Sequence, residues 1–570
     1  MKRNHKIEIS YKEIFYKGTV TLLTTLGAGA LFGRKNMMIA FSLGLGAGAL
    51  STQNLKIKPL QKTLQLIGVD LLIVCIAYIA SLNRWVAIPI NLVTIFGMIY
   101  FNISFYNENK YRTFLMLYVF CQYSSITFME LPARLAMIVF AVSIIVASIY
   151  IEQSQNKRLL PPQIEKAFKL INEQLALMSE GKFDKDLGKQ VGEQMNELAY
   201  VIYRSSFKQY FTTYMGKIHF YFYLNIGYFN ILLEQIHSHE KGSFFALEEI
   251  KEIYILFQGI QSYFKRQITR KTLLELFNSY LNLYPDENDL KGEVRDVLFA
   301  LKESFKELGD VPIKDKHHVY DEWERGDLRH LKQSVSEYFS PKKMRFNFAI
   351  RMTLIITIAL FLAQLLGFHK FIWAIIPIIS ITQPYVEDTR KRRGDRFESN
   401  ILGAVVLAII LDIVRIKGLP LVLLIASFYL YHAYKDYYHT SLFLTIISMC
   451  VSTVSIGINT LLVYRVIYVL LGVTVVEITS RWMPYHLEDG IQELMLETER
   501  LNDILEEESI LSLKGEADFN RIRQAIICSA ILCQKLYVRN KAYKNKEVDE
   551  LVRVNTEFII RLGHRLLSKS

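Results

Sequence analysis

The sequence predicts an all-α polytopic membrane protein with two blocks of transmembrane helices and two helical parts outside them. Hydrophobic residues make up 51% of the 570 positions and charged residues only 21%. The apolar residues concentrate within 15–151 and 347–482. Inside these blocks, apolar runs reach the roughly 17–25 residues that a helix needs to cross a bilayer. Stretches such as 132–151 also lack the polar stripe of a helix that faces water.

Glycine, proline and charged residues divide each block into six candidate spans. In the first block, the predicted spans are 15–33, 36–50, 61–82, 85–103, 113–128 and 131–151. In the second block, they are 347–367, 371–385, 397–414, 418–434, 439–457 and 460–482.

Lysine and arginine in the short connections predict the orientation. If the chain begins inside, the inner connections hold 16 basic residues and the outer ones 8, with five of the 16 in the connection 386–396. Because basic connections stay on the cytoplasmic side, we expect both termini and the region between the blocks to be cytoplasmic. The net charge of +12 then suits an inner face against anionic lipid. No pattern of basic and aromatic residues indicates nucleic acid.

The parts outside the blocks show heptad patterns. After Pro161-Pro162, apolar residues step by four and three at Ile164, Phe168, Ile171, Leu175 and Met178. Such seams need a partner helix, either in the other cytoplasmic part, in another protomer or in a recruited protein. The predicted domains are a first transmembrane repeat (1–151), a helical cytoplasmic domain (152–345), a second transmembrane repeat (346–484) and a helical cytoplasmic tail (485–570).

A shift of 334 residues reveals an internal repeat. It pairs Lys17 with Arg351, Thr19 with Thr353, Gly33 with Gly367 and Lys62 with Arg396, and a shift of 331 pairs Arg134 with Arg465. Charge, glycine and span order recur together, which predicts a tandem duplication of a six-span unit. An even number of spans makes the two repeats parallel.

A spaced signature stands in the second block, formed by Trp373-Ala374, Gln383-Pro384, Arg396 and Gly403. It resembles the signature of the fusaric acid resistance (FUSC) family of aromatic acid exporters. Ser399 and Asn400 depart from the family pattern, and the first half keeps only Lys62 in place of the arginine. The resemblance implies an inner-membrane exporter of small organic or aromatic carboxylate anions. It also admits an anion channel as the alternative, since plant aluminium-activated malate channels are similar in this domain.

Cations in or beside the spans are candidates for a substrate path, because a charge in lipid costs several kcal/mol and usually faces a cavity or a partner. They are Arg396, Lys62, Arg351 and Lys17 near inner ends, and Arg465 and Arg134 near outer ends. A guanidinium binds a carboxylate with two parallel hydrogen bonds, although lipid headgroup contact is the alternative for the inner four. Trp373 and Gln383 join the set. Trp373 either stacks on an aromatic substrate or belongs to an interfacial belt.

Two acidic residues, Asp70 and Glu477, are candidates for proton coupling. A carboxylate in an apolar surround favours its protonated form and can carry a proton. The alternative for each is a buried ion pair with one of the cations.

No Walker loop, GxSxG, HExxH or dinucleotide-binding pattern occurs in the sequence. We therefore expect no enzyme activity and no cofactor.

His432, Asp436 and His439 have helical ligand spacing but lie among tyrosines, so we predict interfacial anchoring rather than a metal site. The predicted function is proton-coupled export, with membrane lipid, an organic anion and a second copy of the chain as candidate partners. The alternatives are a passive anion channel and a membrane scaffold that recruits proteins.

Overall fold

A computed structural model shows a helical protein. It describes residues 11–50, 59–103, 105–106, 108–155, 160–205, 214–238, 247–283, 290–309, 343–367, 371–414, 418–434, 436–452 and 458–567. These ranges contain helices and turns and no strand, which confirms the all-α prediction. The chain forms two compact units, which we call the membrane unit (Met1–Asn156 with Gln333–Gly490) and the helical bundle (Lys157–Lys332 with Ile491–Ser570).

The helices are numbered along the chain. The first six are α1 (Tyr11–Phe32), α2 (Met37–Leu50), α3 (Pro59–Leu82), α4 (Arg84–Asn102), α5 (Tyr111–Tyr123) and α6 (Leu131–Gln155). The next six are α7 (Pro162–Ser179), α8 (Lys185–Ser205), α9 (Tyr214–Ser238), α10 (Leu247–Phe264), α11 (Arg270–Leu283) and α12 (Leu290–Glu307). Then follow α13 (Met344–Leu366), α14 (Ile372–Ile381), α15 (Val386–Ile413), α16 (Leu419–Ala433), α17 (Tyr437–Ser452) and α18 (Ile458–Trp482). The last three are α19 (Leu487–Leu513), α20 (Phe519–Tyr543) and α21 (Lys546–Leu567).

The helix boundaries follow local sequence signals. The side chain of Asn83 accepts a hydrogen bond from the Trp85 amide and caps the start of α4. Gly33 follows α1 with φ +89°, and Gly367 follows α13 with φ +62°. Glycine adopts this left-handed conformation without steric cost, so both helices end where the repeat pairs these two residues.

Five helices of the described part are long and apolar enough to span a membrane: Leu60–Leu82, Arg84–Asn102, Phe128–Glu152, Met344–Leu366 and Val463–Trp482. Four shorter apolar helices accompany them: Met37–Gly46, Ile372–Ile381, Leu419–Ala433 and Tyr437–Val451. Large apolar side chains on these helices point outward, such as Val93 and Val422. An exposed apolar surface of this kind requires lipid, and the chain is a membrane protein.

The connection predicted at 386–396 is wrong, because these residues form the first turns of α15. Gln383-Pro384 interrupts the preceding helix, since the residue before a proline disfavours the helical conformation. Glu387 and Asp388 then lie in the first turn of α15, where acidic side chains complement the helix dipole. The basic residues of the supposed loop are thereby fixed on a helix that continues into the membrane unit.

The two halves of the membrane unit share helix pairings. α3 packs against α5 and α6, and the corresponding α15 packs against α17 and α18. The two halves also pack against each other, since α1 contacts α16 and α13 contacts α4. Gly18 permits the first of these contacts, since a Cβ atom there would lie 2.4 Å from Cδ1 of Tyr429. Trp85 and Phe361 join the second, with ring centroids 5.3 Å apart. The duplication itself stays a prediction.

The helical bundle combines the region between the blocks with the tail. α8 packs against α9 and α20, and α9 packs against α12 and α21. The five heptad residues of α7 are buried, and the ring of Phe168 contacts those of Phe257, Phe264 and Phe305 at centroid distances of 5.7–5.8 Å. Asn196 donates a hydrogen bond of 2.8 Å to Gln534, which links the two segments.

Candidate functional site

A cavity of about 450 Å³ lies inside the membrane unit, between α2 and α5 of the first half and α14, α15, α17 and α18 of the second. Its volume is in the range of small-molecule sites. Four arginines line it: Arg112, Arg392, Arg396 and Arg465. Among the described residues of its wall there is no aspartate or glutamate. We call this space the arginine cavity.

Arg465 is the most isolated of these cations. Its side chain is on α18 and is almost fully buried. None of its three guanidinium nitrogens has a hydrogen-bond partner among the described residues. Its Cζ lies 4.5 Å from the ring centroid of Trp373, itself buried on α14, in a cation–π contact. Trp373 therefore stacks on an arginine rather than standing open at the membrane surface.

Arg396 is fully buried on α15. Its Nη1 donates a hydrogen bond of 2.9 Å to the Ser441 hydroxyl of α17, while Nε and Nη2 have no partner among the described residues. Ser399 donates to the same hydroxyl at 2.7 Å. The Asn400 side chain accepts a hydrogen bond from Thr445. Thus Ser399 and Asn400, which depart from the family signature, join α15 to α17 beside Arg396.

Arg392 and Arg112 complete the arginine cavity and were missed in the sequence. Arg392 has its Cζ 4.9 Å from the ring centroid of Tyr437, and its Nη1 lies 3.5 Å from the Ser380 carbonyl oxygen. Arg112, at the start of α5, is half-buried, and its Nε has no partner among the described residues. One signal was available for Arg392, which precedes Arg396 by four residues and so shares its helix face.

Arg351 lies outside the arginine cavity. Its guanidinium donates hydrogen bonds to three backbone carbonyls, those of Met483 at 3.2 Å, Pro384 at 3.1 Å and Gln383. The Gln383 side chain in turn donates to the Thr382 carbonyl at 2.6 Å. Arg351 therefore fastens the turn between α14 and α15 to the end of α18, and Gln383 belongs to that turn.

Arg134 is likewise engaged with neutral partners. It donates hydrogen bonds of 3.1 Å to the Asn36 side chain, the Cys121 carbonyl and the Ser124 hydroxyl. These bonds connect α6 to the start of α2 and the end of α5. Its repeat partner Arg465 has no such bonds among the described residues, so the two equivalent positions differ in their surroundings.

The two candidate lysines are not among the residues that line the arginine cavity. Lys17 and Lys62 are half-buried. His432, in the last turn of α16, contacts Thr21 at 3.0 Å. Asp436 and His439 pair with each other at 2.7 Å, and the described part of the chain holds no group of side chains suited to a metal ion.

The acidic candidates occupy different surroundings. Asp70 is buried on α3, and its Oδ1 has no hydrogen-bond partner among the described residues. Glu477 on α18 forms ion pairs with Arg393 and with Arg481, the latter at 2.8 Å. Two cations thus pair with Glu477, whereas no cation among the described residues forms an ion pair with Asp70.

The fold is that of a polytopic membrane protein. Residues 358–478 match the family described as fusaric acid resistance protein-like, which confirms the resemblance found in the signature. The chain is similar to the inner membrane protein YccS of Escherichia coli (strain K12), with 26% identity over 162 residues. The aligned part is 28% of this chain and spans 22% of the length of that relative. No solved structure matches the chain significantly. The family match includes Arg392, Arg396 and Arg465 but not Arg112.

Proposed function

We propose that the protein exports small organic anions, in particular carboxylates, across the inner membrane by way of the arginine cavity. One observation carries the proposal. Arg465 and Arg396 hold buried guanidinium nitrogens without hydrogen-bond partners in the described structure, and no carboxylate lines the space they share. A buried charge without a counter-charge is costly. A carboxylate ligand supplies both the missing charge and the missing acceptors.

The direction of transport rests on the sequence. The basic bias of the connections supports cytoplasmic termini and a cytoplasmic helical bundle. The family resemblance supports efflux. Substrate then enters the arginine cavity from the cytoplasm, attracted by its positive potential.

We further propose that Asp70 carries the coupling proton. It is the better of the two acidic candidates, because Glu477 is already paired with two arginines. Asp70 lies on α3, which packs against α5, and Thr113, Met116 and Phe120 of α5 line the arginine cavity. A change of charge at Asp70 can therefore reach the substrate site through one shared helix.

The test is flux of benzoate and of uncharged benzamide in proteoliposomes. Wild-type protein should transport benzoate only, and Arg465→Gln should reduce its affinity roughly ten- to hundredfold, as for one lost charge-assisted contact. Arg84→Gln is the matched control, since Arg84 is exposed at the start of α4. Unchanged benzoate flux in Arg465→Gln would refute the proposed site. Currents that reverse at the anion equilibrium potential, with no effect of a pH gradient, would establish a passive channel instead.

A further inference from the structure

The four cations of the arginine cavity form two pairs, and the deeper pair is Arg396 and Arg465. Both of these side chains are buried, whereas Arg392 and Arg112 are half-buried. Trp373 holds one guanidinium by its ring, and Ser441 holds the other by a hydrogen bond. The remaining nitrogens have no acceptor in the described structure. This pair forms one site for an oxyanion.

The second pair is Arg392 and Arg112, which line the same cavity. Here again an aromatic ring, that of Tyr437, holds one guanidinium. Asp388, one turn before Arg392 on α15, does not line the arginine cavity. In each pair, therefore, one arginine contacts an aromatic ring and the other lines the same cavity.

The spacing of the pairs is set by α15. Arg392 and Arg396 are four residues apart on one helix face, which is about one turn, or roughly 6 Å along the axis. The hydroxyl groups of Thr440 and Ser441 from α17 also line the cavity wall. An elongated ligand can thus reach both pairs, whereas a compact anion reaches one.

The charge balance distinguishes ligands of different valence. A monoanion at one pair leaves the other pair without any counter-charge, and no acidic side chain in the described wall supplies one. We propose, building on the proposed function, that the preferred ligand is an organic dicarboxylate whose two carboxylates bind separately to the two arginine pairs. The second carboxylate is recognised by Arg392 and Arg112.

Two ligands of equal shape test the proposal on the full chain in lipid nanodiscs. Terephthalate carries carboxylates at opposite ends of one ring, and 4-carbamoylbenzoate replaces one of them by a neutral amide. Isothermal titration calorimetry at pH 7.5 and constant ionic strength should show terephthalate binding about tenfold more tightly or better, as expected for an added charge-assisted contact. Equal or weaker binding of terephthalate would overturn the proposal. Sulfate competing as well as terephthalate would overturn the two-point contact.

Variants locate the second carboxylate. Arg392→Gln should reduce terephthalate affinity to that of 4-carbamoylbenzoate and leave the latter nearly unchanged, and Arg112→Gln, at a half-buried position, provides a second variant if the first does not fold. Arg84→Gln should alter neither ligand. A terephthalate preference that persists in folded Arg392→Gln and Arg112→Gln would overturn the assignment. If 4-carbamoylbenzoate binds and terephthalate binds no better, only the dicarboxylate inference fails. If neither ligand binds or crosses the membrane, the proposed function fails as well.

Discussion

Replacing Arg351 by methionine should destabilise the membrane unit without removing a substrate contact. The wild-type guanidinium is buried and donates to the carbonyls of Gln383, Pro384 and Met483. At about 1.5–3 kcal/mol per charge-assisted bond, three bonds set an upper limit of about 9 kcal/mol. Such contributions are not additive. We expect a loss of about 3–5 kcal/mol, as for a buried charged group whose partners are left unpaired.

Arg465→Met is the informative comparison, because it changes the same residue type in the same unit. Arg465 has no hydrogen bond among the described residues to lose, and its contact with Trp373 contributes at most about 2 kcal/mol. Removing a buried charge that has no counter-charge is favourable, and this gain offsets the loss of the contact with Trp373. Its free energy of unfolding should therefore stay within about 2 kcal/mol of the wild-type value, while benzoate binding is lost.

The assay is unfolding in mixed micelles titrated with dodecyl sulfate and followed by circular dichroism, with benzoate binding measured in parallel. Arg84→Gln again controls for loss of an exposed positive charge. The reasoning is refuted if Arg351→Met is as stable as wild type and fails to bind benzoate. It is equally refuted if Arg465→Met is the variant that unfolds.

Three further predictions concern other parts of the chain. Asp70→Asn should abolish benzoate accumulation driven by a pH gradient in proteoliposomes, whereas Glu477→Gln should retain it, because Glu477 is paired with two arginines and Asp70 with no cation among the described residues. Gly33→Ala and Gly367→Ala should each cost about 1 kcal/mol in the micelle assay, since both positions have positive φ and open space around the missing Cβ. Burial lowers the pKa of His564 in the helical bundle to about 4. Because unfolding restores a pKa near 6.5, bundle stability should fall by up to about 3 kcal/mol as pH decreases from 6.5 to 4, and His564→Gln should flatten this profile in urea titrations.

Each of these has a contrary outcome. Coupling lost in Glu477→Gln and kept in Asp70→Asn would exchange the roles of the two carboxylates. Alanine variants as stable as wild type would show that the left-handed conformation is not required at the two glycines. A bundle equally stable at pH 7 and pH 4.5 would mean that His564 takes up its proton in the folded state.

The helices could be predicted closely because the length of an apolar run, and the glycine, proline and charged residues that end it, are local properties of the sequence. Each of the twelve predicted spans overlaps a helix of the described structure, and the main error, at 386–396, arose from counting basic residues as a loop. The side of the membrane on which basic residues lie and the backbone conformation of those residues are independent properties. A positive charge marks a side of the membrane without indicating whether the backbone is coiled or helical.

The candidate site could be predicted only in part. Arg396 was found through a spaced signature, and Arg465 through the repeat. Arg112 belongs to a helix of the other half, and no local pattern indicates which helix of one block faces which helix of the other. Arg351 and Arg134 were grouped with the other cations because sequence reveals charge but not partners. Backbone carbonyls accept the three hydrogen bonds of Arg351 and one of the three of Arg134, and they are present at every residue and leave no mark in the sequence.

In each half of the membrane unit, the first helix packs against the fourth helix of the other half. This arrangement constrains how the arginine cavity can open. These contacts are α1 against α16 and α13 against α4, and a rocking motion of one half on the other would have to separate both at once. In the first contact, Gly18 and Tyr429 are already in close approach. A hinge between the halves is therefore a poor gate. The short α14 is a better one, since it contains Pro377 and lines the cavity with Ile376, Ile379 and Ser380. Access to the cavity would then change by movement of α14 alone while the two halves stay packed together. Arg351 would hold the C-terminal end of α14 through its hydrogen bonds to the Gln383 and Pro384 carbonyls.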